Sequence, residues 1–121
     1  MIGWNAALII IGLIAAGVFV GYLVAITMRW LVNKINAKAA EKRVKNVIVA
    51  DMENLVENSN NKISLNELND ITGGRRAEVI AAVDDDNRIV GDIEIAKDKN
   101  RSLDPEVEEL LGREKSVVVG A

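Results

Sequence analysis

Residues 6–28 read AALIIIGLIAAGVFVGYLVAITM, a run of 23 without a charged side chain, closed by Arg29, Trp30 and a ladder of lysines. At about 1.5 Å per residue, a helix of that length reaches roughly 34 Å, against about 30 Å of bilayer hydrocarbon. A transmembrane anchor is expected over residues 1–30, with Trp4 and Trp30 at the headgroup level and Phe19 and Tyr22 between them. A cleaved leader fits less well. No Lys or Arg precedes the run, the run exceeds the ~7–15 residues of a leader's apolar segment, and no A-x-A-like site precedes the basic stretch.

Charge asymmetry gives the expected orientation. Residues 1–28 carry no charge, whereas residues 29–45 hold Arg29, Lys34, Lys38, Lys42, Arg43 and Lys45 against Glu41 alone. Positive flanks stay on the inner side, so the expectation is a single-pass membrane protein with its N-terminus outside and its C-terminal head on the cytoplasmic side. Arg29, Trp30, Lys34 and Lys38, with Trp4 at the other end, would then meet lipid headgroups. Of 15 basic and 18 acidic side chains, six basic and one acidic lie in that collar, leaving nine and seventeen in residues 46–121, a net charge of −8. An acidic head is repelled by nucleic-acid phosphates and favours protein partners, so no nucleic-acid partner is expected.

The inventory argues against catalysis. The chain has no cysteine and no histidine, which removes thiolate metal sites, disulfides, the commonest general base and every Ser-His or Cys-His nucleophile. No enzyme, cofactor, metal or small-molecule substrate is expected. All four aromatic residues fall in the first thirty positions, so the remainder must build its core from Val, Ile, Leu, Ala and Met. A lone domain of about 64 residues buries only ~60% of its unfolded surface, so this head should lean on neighbours.

Within the apolar run, Gly17, Gly21 and Ala25 recur every four residues, and Gly12 and Ala16 form a second pair. On a membrane helix such spacing makes a face on which another helix packs closely. From Tyr22 to Thr72 there is no Gly or Pro, and Val44, Val47, Ile48, Met52, Leu55 and Val56 recur at three- and four-residue intervals. The spacing predicts a basic collar and amphipathic stalk helix over 31–57 whose apolar stripe binds a partner.

Residues 58–121 read as a small acidic head. Ser64 and Glu67 have capping-box spacing, flanked by Ile63 and Leu68 at staple positions, and Thr72-Gly73-Gly74 ends the short helix they open. Ala77–Val83 and Arg88–Ala96 form a hairpin around Asp84-Asp85-Asp86-Asn87. Asp104-Pro105 opens an acidic helix closed by Gly112, and Ser116–Gly120 adds an edge strand. The expected fold class is α+β: an N-terminal transmembrane helix continuing into a helical stalk, then an α-β-β-α-β head.

Three patterns in the head have ligand-binding alternatives. Asp84 to Asn87 carry oxygens suited to a hard cation, but also suit a solvated turn. Asp98, Asn100, Ser102, Asp104 and Glu109 occupy positions 1, 3, 5, 7 and 12 of a calcium loop, but Leu103 stands where its glycine belongs and Pro105 at position 8. Gly73-Gly74-Arg75-Arg76 has the ingredients of an anion cradle but precedes a strand, where phosphate loops open onto a helix. Val83-Asp84-Asp85-Asp86-Asn87-Arg88-Ile89-Val90-Gly91 also resembles the central hairpin of a CBS domain, which implies an adenosyl-ligand sensor. The resemblance covers about a sixth of the chain; Asp92 and Glu94 fall out of that family's pattern, and Asp98 is one residue late for its ribose-binding aspartate.

The function expected from these features is a non-enzymatic structural, accessory or assembly subunit of a larger membrane-associated complex, cellular or within a virion that has an internal membrane. Its partners would be the bilayer, other subunits or copies of itself. A membrane-tethered ligand sensor with a CBS-like head is the alternative.

Overall fold

A computed structural model describes residues 4–57, 63–86, 88–100, 104–113 and 116–120. The apolar run does not form one helix. It makes helix α1 (Trp4–Ala15), strand β1 (Val20–Val24) and the entry to helix α2 (Met28–Lys42). The break has a local cause. Gly17 adopts φ +78°, its N–H bonds to the Ile14 carbonyl at 3.0 Å, and the Val18 N–H bonds to the Leu13 carbonyl at 2.8 Å. That pair of bonds is a Schellman stop, which needs a left-handed residue that glycine supplies without a Cβ penalty. Val18-Phe19-Val20-Gly21-Tyr22-Leu23-Val24 then has the β-branched and aromatic content of a strand. Thr27 caps α2, its side chain accepting from the Trp30 N–H at 3.1 Å.

These breaks correct the expected transmembrane span. Among the described residues, no helix is long and apolar enough to cross a membrane. The single-pass placement, the outside N-terminus and the inner head all rested on that span and are withdrawn with it. The stalk helix is corrected as well. Its stripe divides between strand β2 (Asn46–Asp51) and the short helix α3 (Met52–Glu57), because Val47, Ile48, Val49 and Ala50 are all buried. Four consecutive buried apolar residues suit a strand covered on both faces, not a helix with one wet side.

The rest of the chain keeps the expected order. Helix α4 (Leu65–Thr72) starts at Ser64, whose hydroxyl accepts from the Glu67 N–H at 3.2 Å, and stops at Gly73 in the left-handed region. Strands β3 (Ala77–Val83) and β4 (Ile89–Asp98) form the hairpin, followed by helix α5 (Pro105–Arg113) and strand β5 (Ser116–Gly120). The fold class is α+β. One mixed sheet runs β1-β4-β3-β2-β5, with β1 parallel to β4 and the other neighbours antiparallel.

Alternation along the strands sends side chains to two cores. Ile48, Ala50, Val79, Ala81, Ile93 and Ile95 point to one face, covered by α1, α3 and α4 through Ile10, Ile11, Ile14, Met52, Leu55 and Leu68. Val47, Val49, Ile80 and Ala96 point to the other, covered by α2 and α5 through Leu31, Ile35, Ala39 and Val107. The outcome is a sheet between two helical layers, with β3 at its centre and every residue of β3 buried.

Candidate functional site

Strand β1 forms one edge of the sheet. Val20 to Val24 pair in parallel with Glu94 to Asp98, and the Val24 carbonyl accepts from the Lys99 N–H at 2.9 Å. The N–H and C=O of one strand residue point the same way, so Val20, Tyr22 and Val24 turn theirs toward β4. Gly21 and Leu23 turn theirs outward. Among the described residues, six large apolar side chains are exposed, and three of them, Val18, Val20 and Leu23, sit at 51%, 47% and 47% along this edge. Natural edges are usually blunted by lysine, proline or a bulge; β1 has none of these.

The face of β1 that meets α2 is polar and tightly held. Lys34, Lys38 and Lys42 succeed one another at four-residue spacing on α2 and lie along β4. Lys34 and Lys38 both pair with Glu94, at 2.5 Å and 2.6 Å, and Lys38, only 4% exposed, also donates to the Asp92 carbonyl at 2.7 Å. That carbonyl is freed from the ladder by an irregularity of β4, where Gly91 at φ +78° leaves room for the Lys42 stem. Tyr22 packs edge-on to Trp30 at 6.2 Å, and Lys34 stands 5.6 Å from the Tyr22 ring centre. Burial pushes the Glu94 carboxyl up, but hydrogen bonds from Lys34 and Lys38 outweigh it and hold it below the usual range. Burial, then the Glu94 charge, pushes the Tyr22 hydroxyl up; Glu94 is near enough to act on it, although the hydroxyl makes no hydrogen bond. A cavity of about 420 Å³ opens between these groups beside β1.

A second polar cluster lies on the same face of the sheet, under the N-terminal end of α2. Glu78 on β3 is fully buried and its two oxygens have no hydrogen-bond partner. Arg76 Nε stands 3.7 Å from Glu78 and 3.5 Å from Asp51, whose other oxygen caps α3 at Asn54. Burial, then the neighbouring Asp51 charge, pushes Glu78 up to about 9, so the carboxyl is neutral at ordinary pH. Burial likewise raises Asp51, which Arg76 partly offsets. Asp98 completes the group, its Oδ1 accepting from the amides of Ile26 and Asn100 and its Oδ2 buried without a partner. On the far side of Asp51, a cavity of about 270 Å³ is bounded by α4, Arg75 and Arg76.

The residues singled out in the sequence fall in several places. Gly12 lies in α1, Ala16 and Gly17 in its terminal turn, Gly21 in β1 and Ala25 in the following loop, so these five do not share one helix face. Trp4 begins α1, whereas Arg29, Trp30, Lys34 and Lys38 all belong to α2. Val47 and Ile48 face opposite cores; Met52, Leu55 and Val56 pack with Ile48; Val44 precedes β2 and is half-buried.

The acidic motifs serve their own backbone. Asp84 Oδ1 accepts from the amides of Asp86 and Arg88, and Asn87 lies outside the described residues. Asp104 accepts from Met28 N–H at 2.9 Å and Glu106 N–H at 3.0 Å, capping α2 and α5 together, while Ser102 lies outside the described residues. Arg75 donates to the carbonyls of Asp98 and Lys99. Among the described residues, no group of three or more acidic side chains is placed to hold a metal ion.

Two features escaped the sequence reading. A glutamate inside Ala77-Glu78-Val79-Ile80-Ala81-Ala82-Val83 is a charge in an otherwise apolar strand, and was the available signal for the buried cluster. The β1 edge had a weaker signal, the change from Ile, Leu and Ala to β-branched and aromatic residues after Gly17. Compared with known proteins, the chain matches no protein-family model, no curated sequence and no solved structure.

Proposed function

We propose that the chain is a non-enzymatic assembly subunit that joins its protein neighbours by strand addition along β1. The observation that carries this is the unblocked edge: a five-residue strand without a charged side chain, with outward backbone groups at Gly21 and Leu23 and exposed Val18, Val20 and Leu23. An added strand would supply hydrogen bonds to that backbone and cover those side chains, which is the general mode of β-augmentation. The strand is backed by packed structure: β1 pairs with β4, Tyr22 packs on Trp30 of α2, and Lys34 and Lys38 of α2 pair with Glu94 of β4. A non-catalytic role is supported by the absence of histidine and cysteine and by Glu78, the most perturbed carboxyl, having no exposed surface. The net charge of −8 over residues 46–121 favours protein over nucleic-acid neighbours.

Leu23→Lys tests the proposal, because it puts a charge on the edge while leaving every bond to β4 in place. In native extracts the wild-type chain should migrate in an assembly well above its own 13.2 kDa, and Leu23→Lys should migrate as the free chain with an unchanged circular dichroism spectrum. A wild-type chain that migrates alone, or a Leu23→Lys chain that assembles like wild type, contradicts it.

A further inference from the structure

Strand addition leaves the added strand unidentified, and the pattern of β1 narrows it. We infer that the occupant is β1 of a second copy, running antiparallel about a two-fold axis at Tyr22; the inference rests on the strand-addition reading above.

Hydrogen-bond parity restricts the choices. In an antiparallel pair, outward-facing residues must stand opposite outward-facing residues, because such pairs exchange both N–H···O bonds. A two-fold axis must therefore pass through a residue and not between two. Axes at Gly21 or Leu23 overlap only part of Val20–Val24, whereas an axis at Tyr22 overlaps all of it. It sets Gly21 opposite the partner's Leu23, and Leu23 opposite the partner's Gly21, so that every outward N–H and C=O of both strands is bonded.

The side chains agree with that register. Gly21 and Leu23 lie on the same face of the sheet. Leu23, 47% exposed in the single chain, meets a residue with no side chain, beside which the Phe19 ring stands 3.7 Å from where a Cβ would lie, so Leu23 of one copy has room opposite Gly21 and an apolar ring to pack against. On the opposite face Val20, also 47% exposed, stands beside the partner's Val24. A two-fold contact brings each side chain near its own kind, and like charges directly opposite are destabilising. Val18 to Ala25 carries no charge, and the nearby Lys34 and Lys38 are already paired with Glu94. The strand is thus complementary to itself in hydrogen bonding, shape and charge.

The native chain has no cysteine, so engineered thiols report the register without interference. Val20 and the partner's Val24 would form a non-hydrogen-bonded pair with Cα atoms about 4.5 Å apart, within disulfide range. Full-length Val20→Cys and Val24→Cys should each stay uncrosslinked alone under mild oxidation, and should form a 20–24 disulfide when mixed. In the unmodified chain, Gly21 and Leu23 amides should slow in hydrogen exchange as concentration rises, which checks the pairing even if a cysteine variant folds poorly. Crosslinking of Val20→Cys with itself overturns the register. Absence of both the mixed disulfide and the concentration-dependent protection overturns self-pairing. In that case an assembly in native extracts that Leu23→Lys dissolves leaves strand addition standing with a different occupant, whereas a chain that migrates alone removes both.

Discussion

Replacing Glu78 by Gln should make the protein more stable at alkaline pH and flatten its dependence on pH. In the unfolded chain the carboxyl releases its proton near 4.5, whereas in the fold burial and the Asp51 charge hold it to about 9. Between those values the folded state binds one proton that the unfolded state does not. Stability therefore falls as pH rises, by about 1.4 kcal/mol per unit. The loss begins near pH 4.5, reaches roughly 3 kcal/mol by pH 7, and is complete, at about 6 kcal/mol, once the pH passes 9. Gln is neutral at every pH and keeps the shape. Its amide hydrogens find no more partners than the buried carboxyl does, at a cost of about 1–3 kcal/mol. The net gain should be about 0–2 kcal/mol at pH 7 and larger at pH 9, whereas at pH 5 the variant should be no more stable than the wild type, or slightly less so. Urea denaturation of both chains at pH 5, 7 and 9 gives the comparison. A shallow slope should survive in Glu78→Gln, because Asp51 is raised by burial and contributes with the same sign. Parallel curves for the two chains, or a variant less stable at pH 9 than the wild type, would refute a neutral buried Glu78.

Further outcomes follow from the local geometry. Gly17→Ala forces an L residue to φ +78° with open space around it, so the cost is strain alone, about 1 kcal/mol, read as a lower Tm. Arg43, the only non-glycine residue with positive φ among those described, gives the opposite result: Arg43→Gly should raise stability by about 0.5–1 kcal/mol in the same melt. Lys38→Met leaves Glu94 with Lys34 alone and should cost about 3 kcal/mol at pH 7. Part of that cost should vanish on acidification below the usual carboxylate range, since the stability conferred by a depressed carboxyl is lost as it protonates.

Legibility in the sequence depended on distance along the chain. Ser64 with Glu67, the hairpin of Ala77–Val83 with a second strand read as Arg88–Ala96 and found at Ile89–Asp98, and Asp104 before Pro105 were readable because each signal and its response lie within a few residues. Residues 6–28 misled because length and lack of charge outweighed two local signals, the stop at Gly17 and the cap at Thr27. The strand between them is stabilised by β4, some 74 positions away, and nothing near Val20 announces a parallel partner at Glu94. The stripe from Val44 to Val56 misled for a related reason. Val44, Val47, Ile48, Met52, Leu55 and Val56 fit a helical period, yet Val47 to Ala50 form a strand because both its faces are covered by segments distant in sequence. Both polar clusters also assemble across such distances: Asp51, Glu78 and Asp98 come from three strands, and Lys38 reaches Glu94 of β4 from helix α2.

Residue-resolved amide hydrogen exchange over positions 18–26, at low and high protein concentration, tests the central claim most directly. An edge strand that receives a neighbour requires two classes of amide. Tyr22 and Val24, which face β4, should be protected at both concentrations, whereas Gly21 and Leu23 should exchange freely in the dilute chain and become protected on assembly. Uniform protection from position 18 to 26 at both concentrations would mean a continuous helix, and uniform absence of protection would mean no strand; either result contradicts the account.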